Sequence, residues 1–135
     1  MSTLKHRAAL LVSTFVALST TQAAEAPAPN VVPVFMKALA DLPGKEALMI
    51  TVEFPPGGAD PVHRHDAHGF IYVLEGSIVM QVAGGPEVTL TPGQAFYEGP
   101  DDVHTIGRNA SDTKPAKFLV LLIKNVGVDP VLHVQ

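Results

Sequence analysis

The chain has 135 residues, 47% of them hydrophobic, with 11 glycines, 12 prolines, no cysteine and a formal charge of −4. That length holds one domain, and that composition describes a compact, turn-rich protein and not a disordered one. Without cysteine there are no disulfides, thiolate ligands or thiol nucleophiles, and without a clustered basic face nucleic acid is set aside as a partner.

At the N-terminus Lys5, His6 and Arg7 precede an apolar run, Ala8 to Leu18, followed by small and polar residues. This predicts a secretory signal peptide over residues 1–23, cleaved after Ala23 or as late as Ala26. The run is shorter than the roughly 20 apolar residues of a spanning helix. The mature protein is therefore expected to be periplasmic or secreted and free of the membrane, and more acidic once Lys5 and Arg7 are lost.

Residues 24–44 open with the Ala- and Pro-rich "AEAPAPNVVP", which suits an extended arm or linker. Within this stretch Val34 to Leu42 reads as a short helix or an edge segment, closed by Pro43-Gly44. Residues 45–125 carry the strand pattern. "ALMITVEF" ends at Pro55-Pro56-Gly57-Gly58, which no strand interior tolerates. "FIYVLEG" and "SIVMQVAGG" read as a hairpin turning near Glu75-Gly76, and Gly84-Gly85-Pro86 as a further hairpin connection. "EVTLTPG", "QAFYEGP", "VHTIG" and "KFLVLLIKN" complete about seven strands, with a turn at "RNASDTKP" and a tail over 126–135. The fold class is all-β, a small sandwich or barrel.

"HRHDAHG", residues 63–69, holds three of the six histidines. In a strand the i, i+2 pair His63 and His65 points to one face and Arg64 to the other, as a surface charge. His104 lies in a later strand that a barrel can bring opposite them. Three imidazoles with open positions suit a catalytic divalent metal ion (Fe, Mn, Ni or Zn) and not a closed structural site. Tyr72, Phe96 and Tyr97 read as packing residues first and pocket residues second. The triplet Asn109-Ala110-Ser111 reads as part of a turn.

These residues resemble the two motifs of the cupin family, G-x5-H-x-H-x3,4-E-x6-G and G-x5-P-x-G-x2-H-x3-N. In the first, Gly57, His63, His65 and Gly76 hold register, but Gly69 stands where the glutamate belongs. In the second, Gly93 and His104 hold register, Pro100 falls one place late, Asp101 replaces the inner glycine and Asn109 lies one place beyond the motif position. The resemblance implies a six- to eight-strand antiparallel jelly-roll barrel, often dimeric, with a divalent metal near its mouth on three histidines and a glutamate. A glycine at 69 leaves three neutral ligands and an open position. Either water and substrate fill it, as in three-histidine thiol dioxygenases, or His68 or Glu98 reaches in, as ligand or as acid/base group with Tyr97.

The expected function is an exported, dioxygenase-like metal enzyme acting on a small organic substrate, with a homodimer as the expected assembly. A non-catalytic barrel that captures a small ligand or a metal is the alternative. The two part at whether a general base stands within reach of the substrate.

Overall fold

The computed structural model describes residues 22–134, and most of the expected signal peptide lies outside them. The described chain forms ten strands: β1 (Asn30–Ala38), β2 (Lys45–Phe54), β3 (His63–Arg64), β4 (Ala67–Glu75), β5 (Ile78–Val82), β6 (Val88–Leu90), β7 (Ala95–Glu98), β8 (Val103–Asn109), β9 (Ala116–Asn125) and β10 (Leu132–His133). They pair antiparallel into two five-stranded sheets, β1-β2-β9-β4-β7 and β10-β3-β8-β5-β6, packed face to face as a jelly roll.

Side-chain alternation dictates this packing. In β4, Ala67, Gly69, Ile71 and Val73 are buried while His68, Phe70, Tyr72 and Leu74 are exposed. In β9, Ala116, Phe118, Val120, Leu122 and Lys124 face inward. Phe54, Ile71, Val73, Ile78, Met80 and Leu122 lie at or near full burial in the shared core, and Phe54 meets Phe118 with ring centroids 5.2 Å apart. Each such side chain contributes about 1.5–3 kcal/mol through removal from water.

Three expectations shift. The segment read as an arm contains β1, an edge strand over Asn30–Ala38, because it pairs with β2 from Asn30↔Glu53 to Ala38↔Glu46; the short helix does not form. The tail likewise adds β10, which pairs with β3. Glu75-Gly76 is no hairpin: β4 lies in the first sheet and β5 in the second, so the turn carries the chain between sheets. Gly76 takes φ +67 there, and a Cβ would come within 2.6 Å of the Pro115 carbonyl oxygen, so only glycine fits the corner. The hairpin across Gly84-Gly85 does form, between β5 and β6.

Asn109 is more than a turn residue. It is buried, its Nδ2 donates to the carbonyls of Pro55 (3.0 Å) and Lys114 (2.7 Å), and its Oδ1 accepts from Ser111 N (2.9 Å). It staples the loops that close the end of β2 against the start of β9.

Candidate metal centre

His63 and His104 are register partners across β3 and β8, and His65 follows one turn of the pleat beyond His63 on the same inner face. All three are buried, and one ring nitrogen from each lies within 4.8 Å of the others. Arg64 pairs with Val103 and, by parity, faces the other way.

The hydrogen bonds fix the tautomers. His63 donates from Nδ1 to the carbonyl of Pro61 (2.8 Å), and His65 donates from Nδ1 to the carbonyl of Pro130. A carbonyl only accepts, so each Nδ1 carries the hydrogen and, in the neutral ring, each Nε2 presents a lone pair. Those two Nε2 atoms stand 3.2 Å apart. Two nitrogens held about 2.1 Å from one ion at tetrahedral or octahedral angles are separated by about 3.0–3.4 Å.

The carboxylate comes from the opposite sheet. Glu98, at the end of β7, is buried with Oε1 3.5 Å from His65 Nε2 and Oε2 3.8 Å from His104 Nδ1. Glu98 Oε2 and both ring nitrogens of His104 are buried without a hydrogen-bond partner. A natural fold rarely leaves such atoms orphaned. Convergent lone pairs, an unpaired imidazole and an unpaired carboxylate together fit a divalent cation, which His63, His65, His104 and Glu98 would hold.

Burial sets the electrostatics. It raises the Glu98 carboxyl to about 7, with Asp102 and Asp60 adding to the rise and His63 opposing it. It lowers His104 to about 4, helped by the neighbouring His63. His65 is lowered by burial, against the pull of the Pro130 carbonyl and Asp60. Asp60 is raised by burial, with His63 and His65 opposing. Burial therefore favours the neutral, ligating form of His65 and His104 at physiological pH.

The structure brings His63, His65, His104 and Glu98 together and leaves His68 and Tyr97 apart. His68 and Tyr97 do not join the cluster: both are exposed on the outer face of the first sheet, where His68 Nδ1 hydrogen-bonds the Tyr97 hydroxyl at 2.7 Å. β4 runs unbroken through residue 68, so parity turns His68 away from His65. Tyr72 is exposed on that same face, whereas Phe96 packs partly buried against the core. Asp60 and His133 were not anticipated. Asp60 N donates to Gly107 O (2.8 Å), and His133 pairs with His63 across β10 and β3, so loop closure places both at the cavity beside the histidines.

That cavity, about 290 Å³, lies between the sheets with the histidines and Glu98 in its wall. Most of its lining is apolar, with walls from β1, β2 and β9 and from the 130–133 segment, and with Ile71 and Met80. Lys124 anchors that segment. Its ammonium is buried against Glu46 and donates to the carbonyl of Val128 at 2.6 Å, two residues before the carbonyl that orients His65.

An antiparallel double sheet with three inward imidazoles on one layer and a carboxylate from the other defines a jelly-roll protein with a metal-type site. The chain belongs to the cupin-domain family (Cupin_2), whose model matches residues 50–122. No curated protein matches it. Among solved structures it is similar to TT1209 from Thermus thermophilus, at 30% identity and a TM-score of 0.58, over 71% of this chain and 83% of that one. It is also similar to the DMSP lyase DddQ from Ruegeria pomeroyi DSS-3, at 27% identity and a TM-score of 0.57, over 64% of this chain. The chain spans only 42% of the length of that lyase. An oxalate oxidase in complex with the substrate analogue glycolate shares the fold at 21% identity and a TM-score of 0.61, over 78% of this chain and 55% of that one.

Proposed function

We propose that the protein is an exported, metal-dependent cupin enzyme of dioxygenase-like chemistry acting on a small organic substrate. The observation that carries this reading is the pair of Nε2 atoms of His63 and His65 facing each other at 3.2 Å, beside buried and unpartnered groups of His104 and Glu98. Enzymes on small substrates among the similar structures, the DMSP lyase and the oxalate oxidase, support a catalytic role over simple storage.

Bound there, a divalent ion supplies Lewis acidity and, when redox-active, electrons for dioxygen chemistry. The chain's own residues do the rest. The Pro61 and Pro130 carbonyls hold His63 and His65 in the ligating tautomer. Glu98 would offset one positive charge of the ion. Asp60 is a second carboxyl on the cavity wall, placed to take a proton from a bound substrate.

The test is metal content of the protein purified without added metal, with a His63→Ala/His104→Ala variant as the blank, followed by an oxygen-uptake screen. About one ion of iron, manganese or nickel per chain, absent from the variant, is the expected result. No metal in either protein, with the β-sheet spectrum intact, would overturn the reading. Export is tested by the mass of the mature protein, expected to begin after Ala23 or Ala26. We assign the outer face of the first sheet as the homodimer contact.

A further inference from the structure

Charge is distributed unevenly around the cavity. The titratable groups in its wall are Asp60, His63, His65, Glu98, His104 and His133, and no lysine or arginine among the described residues lines it. Three of the six are the imidazoles of the metal set, and His133 is exposed at the rim. The rest of the surface a substrate would meet is aliphatic or aromatic, including Leu48, Ile50, Val52, Phe118 and Val120. A divalent ion on the histidines would bring two positive charges, and facing it in the wall stand two carboxyl groups, Glu98 and Asp60, with no lysine or arginine beside them. No lysine or arginine stands in the wall to compensate an anionic substrate, and an uncompensated charge in an apolar cavity is strongly disfavoured.

Resting on the metal-site reading above, we infer that this cavity selects an uncharged, mostly apolar small molecule with one polar head that reaches the metal. The size agrees. A space of about 290 Å³ holds roughly ten water-sized groups, which fits a single substituted ring or a short branched chain. The apolar body lies against the β2 and β9 walls while the head faces the histidines. Small carboxylates and phosphorylated compounds are rejected for want of a cation, not for want of room.

Three hydroxamic acids with the same metal-binding head test this on the zinc-loaded full chain. They are benzohydroxamic acid, acetohydroxamic acid and the monohydroxamic acid of succinate, which carries a carboxylate in place of the ring. Zinc stoichiometry is measured on the sample before and after each calorimetric titration. The ring compound should bind at least about tenfold tighter than the methyl compound through apolar burial, and the carboxylate compound should bind weakest. Val31 lines the cavity yet is half exposed at its rim, so Val31→Arg can supply the missing cation without burying it. That variant should raise binding of the carboxylate compound by about tenfold.

Equal binding of the ring and methyl compounds, or tightest binding of the carboxylate compound, with zinc retained, would overturn the inference and leave the metal centre standing. Failure to load zinc would instead overturn the metal-site reading on which the inference rests.

Discussion

Gly69 and Glu98 are register partners on β4 and β7, and a Cβ built on Gly69 would come within 2.9 Å of Glu98 Cγ. The glycine that breaks the family motif thus makes room for a carboxylate from the neighbouring strand. Gly69 has no positive φ, so space and not backbone conformation is what requires it. Gly69→Ala should push Glu98 off the histidines and weaken metal binding on the order of 10- to 100-fold, the range seen when a metal site loses its supporting groups. Gly69→Glu combined with Glu98→Gly returns the carboxylate to β4 and should recover most of the affinity, whereas Gly69→Glu alone crowds two carboxylates and should not. Competition with a chromophoric chelator measures all three.

Proton competition at Glu98 gives metal binding a pH signature. The carboxyl must be ionised to face the ion, and its metal-free pKa is about 7. Apparent affinity should therefore fall by about tenfold per unit as pH drops below 7, with His104 adding to the slope only near 4. Glu98→Gln should bind more weakly at pH 7.5 but lose that slope between pH 7 and 5. A slope unchanged in the variant would assign the competing proton to another group.

The same two groups act oppositely on the stability of the metal-free fold. Glu98 is raised from 4.5 to about 7, so its contribution is present below 4.5 and lost as pH rises through about 7. His104 is lowered from 6.5 to about 4, so its contribution is present above 6.5 and lost as pH falls through about 4. Between 4.5 and 6.5 the two slopes cancel. Urea unfolding of the metal-free protein should be nearly flat with pH over that window, and Glu98→Gln should unmask a rise in stability from pH 4 to 6.5.

The fold was legible in the sequence where alternation was clean, and illegible where it depended on long-range closure. "ALMITVEF" and "KFLVLLIKN" fall within β2 and β9, whereas His104, expected opposite the His63/His65 pair, is the register neighbour of His63 within one sheet. Every position of β1 is exposed, so no alternation of burial marks it, and the reading of Val34 to Leu42 as a short helix or an edge segment overlaps the observed strand only in part. His68 lies outside the cluster because the strand resumes at Ala67, although Asp66-Ala67 reads as a turn, and fixes parity at once. Asp60, Pro130 and His133 enter the site only through contacts between distant segments, which no local spacing reveals.

Lys124 and Glu46 offer a test of the supporting shell. Their buried pair ties β9 to β2, and Lys124 also holds the Val128 carbonyl just ahead of Pro130. Lys124→Met leaves Glu46 buried without its cation and should destabilise the fold by about 3–5 kcal/mol, whereas Glu46→Gln/Lys124→Met should be much closer to wild type. Both should weaken metal binding on the order of tenfold, because the 128–130 segment loses its anchor and His65 its orientation. Chemical denaturation separates the two effects: a metal defect in the stable double variant isolates the positioning role.

The homodimer contact proposed above is the outer face of the first sheet. Phe35, Met49, Leu121, Phe70 and Tyr97 lie in register across all five strands of that sheet, forming one apolar row from edge to edge. Phe35, Phe70 and Tyr97 are each about half exposed, and Tyr72 and Leu74 widen the patch along β4. Apolar surface that continuous marks an interaction site, and a flat sheet face is matched by a second copy of itself about a two-fold axis. Light scattering at micromolar concentration should therefore find a dimer. Phe70→Lys/Tyr97→Lys buries two charges at the centre of that contact and should weaken association about 100-fold or more. Because both side chains point away from the cavity, metal content per chain should be unchanged; a wild-type protein that is monomeric at those concentrations would overturn this assignment.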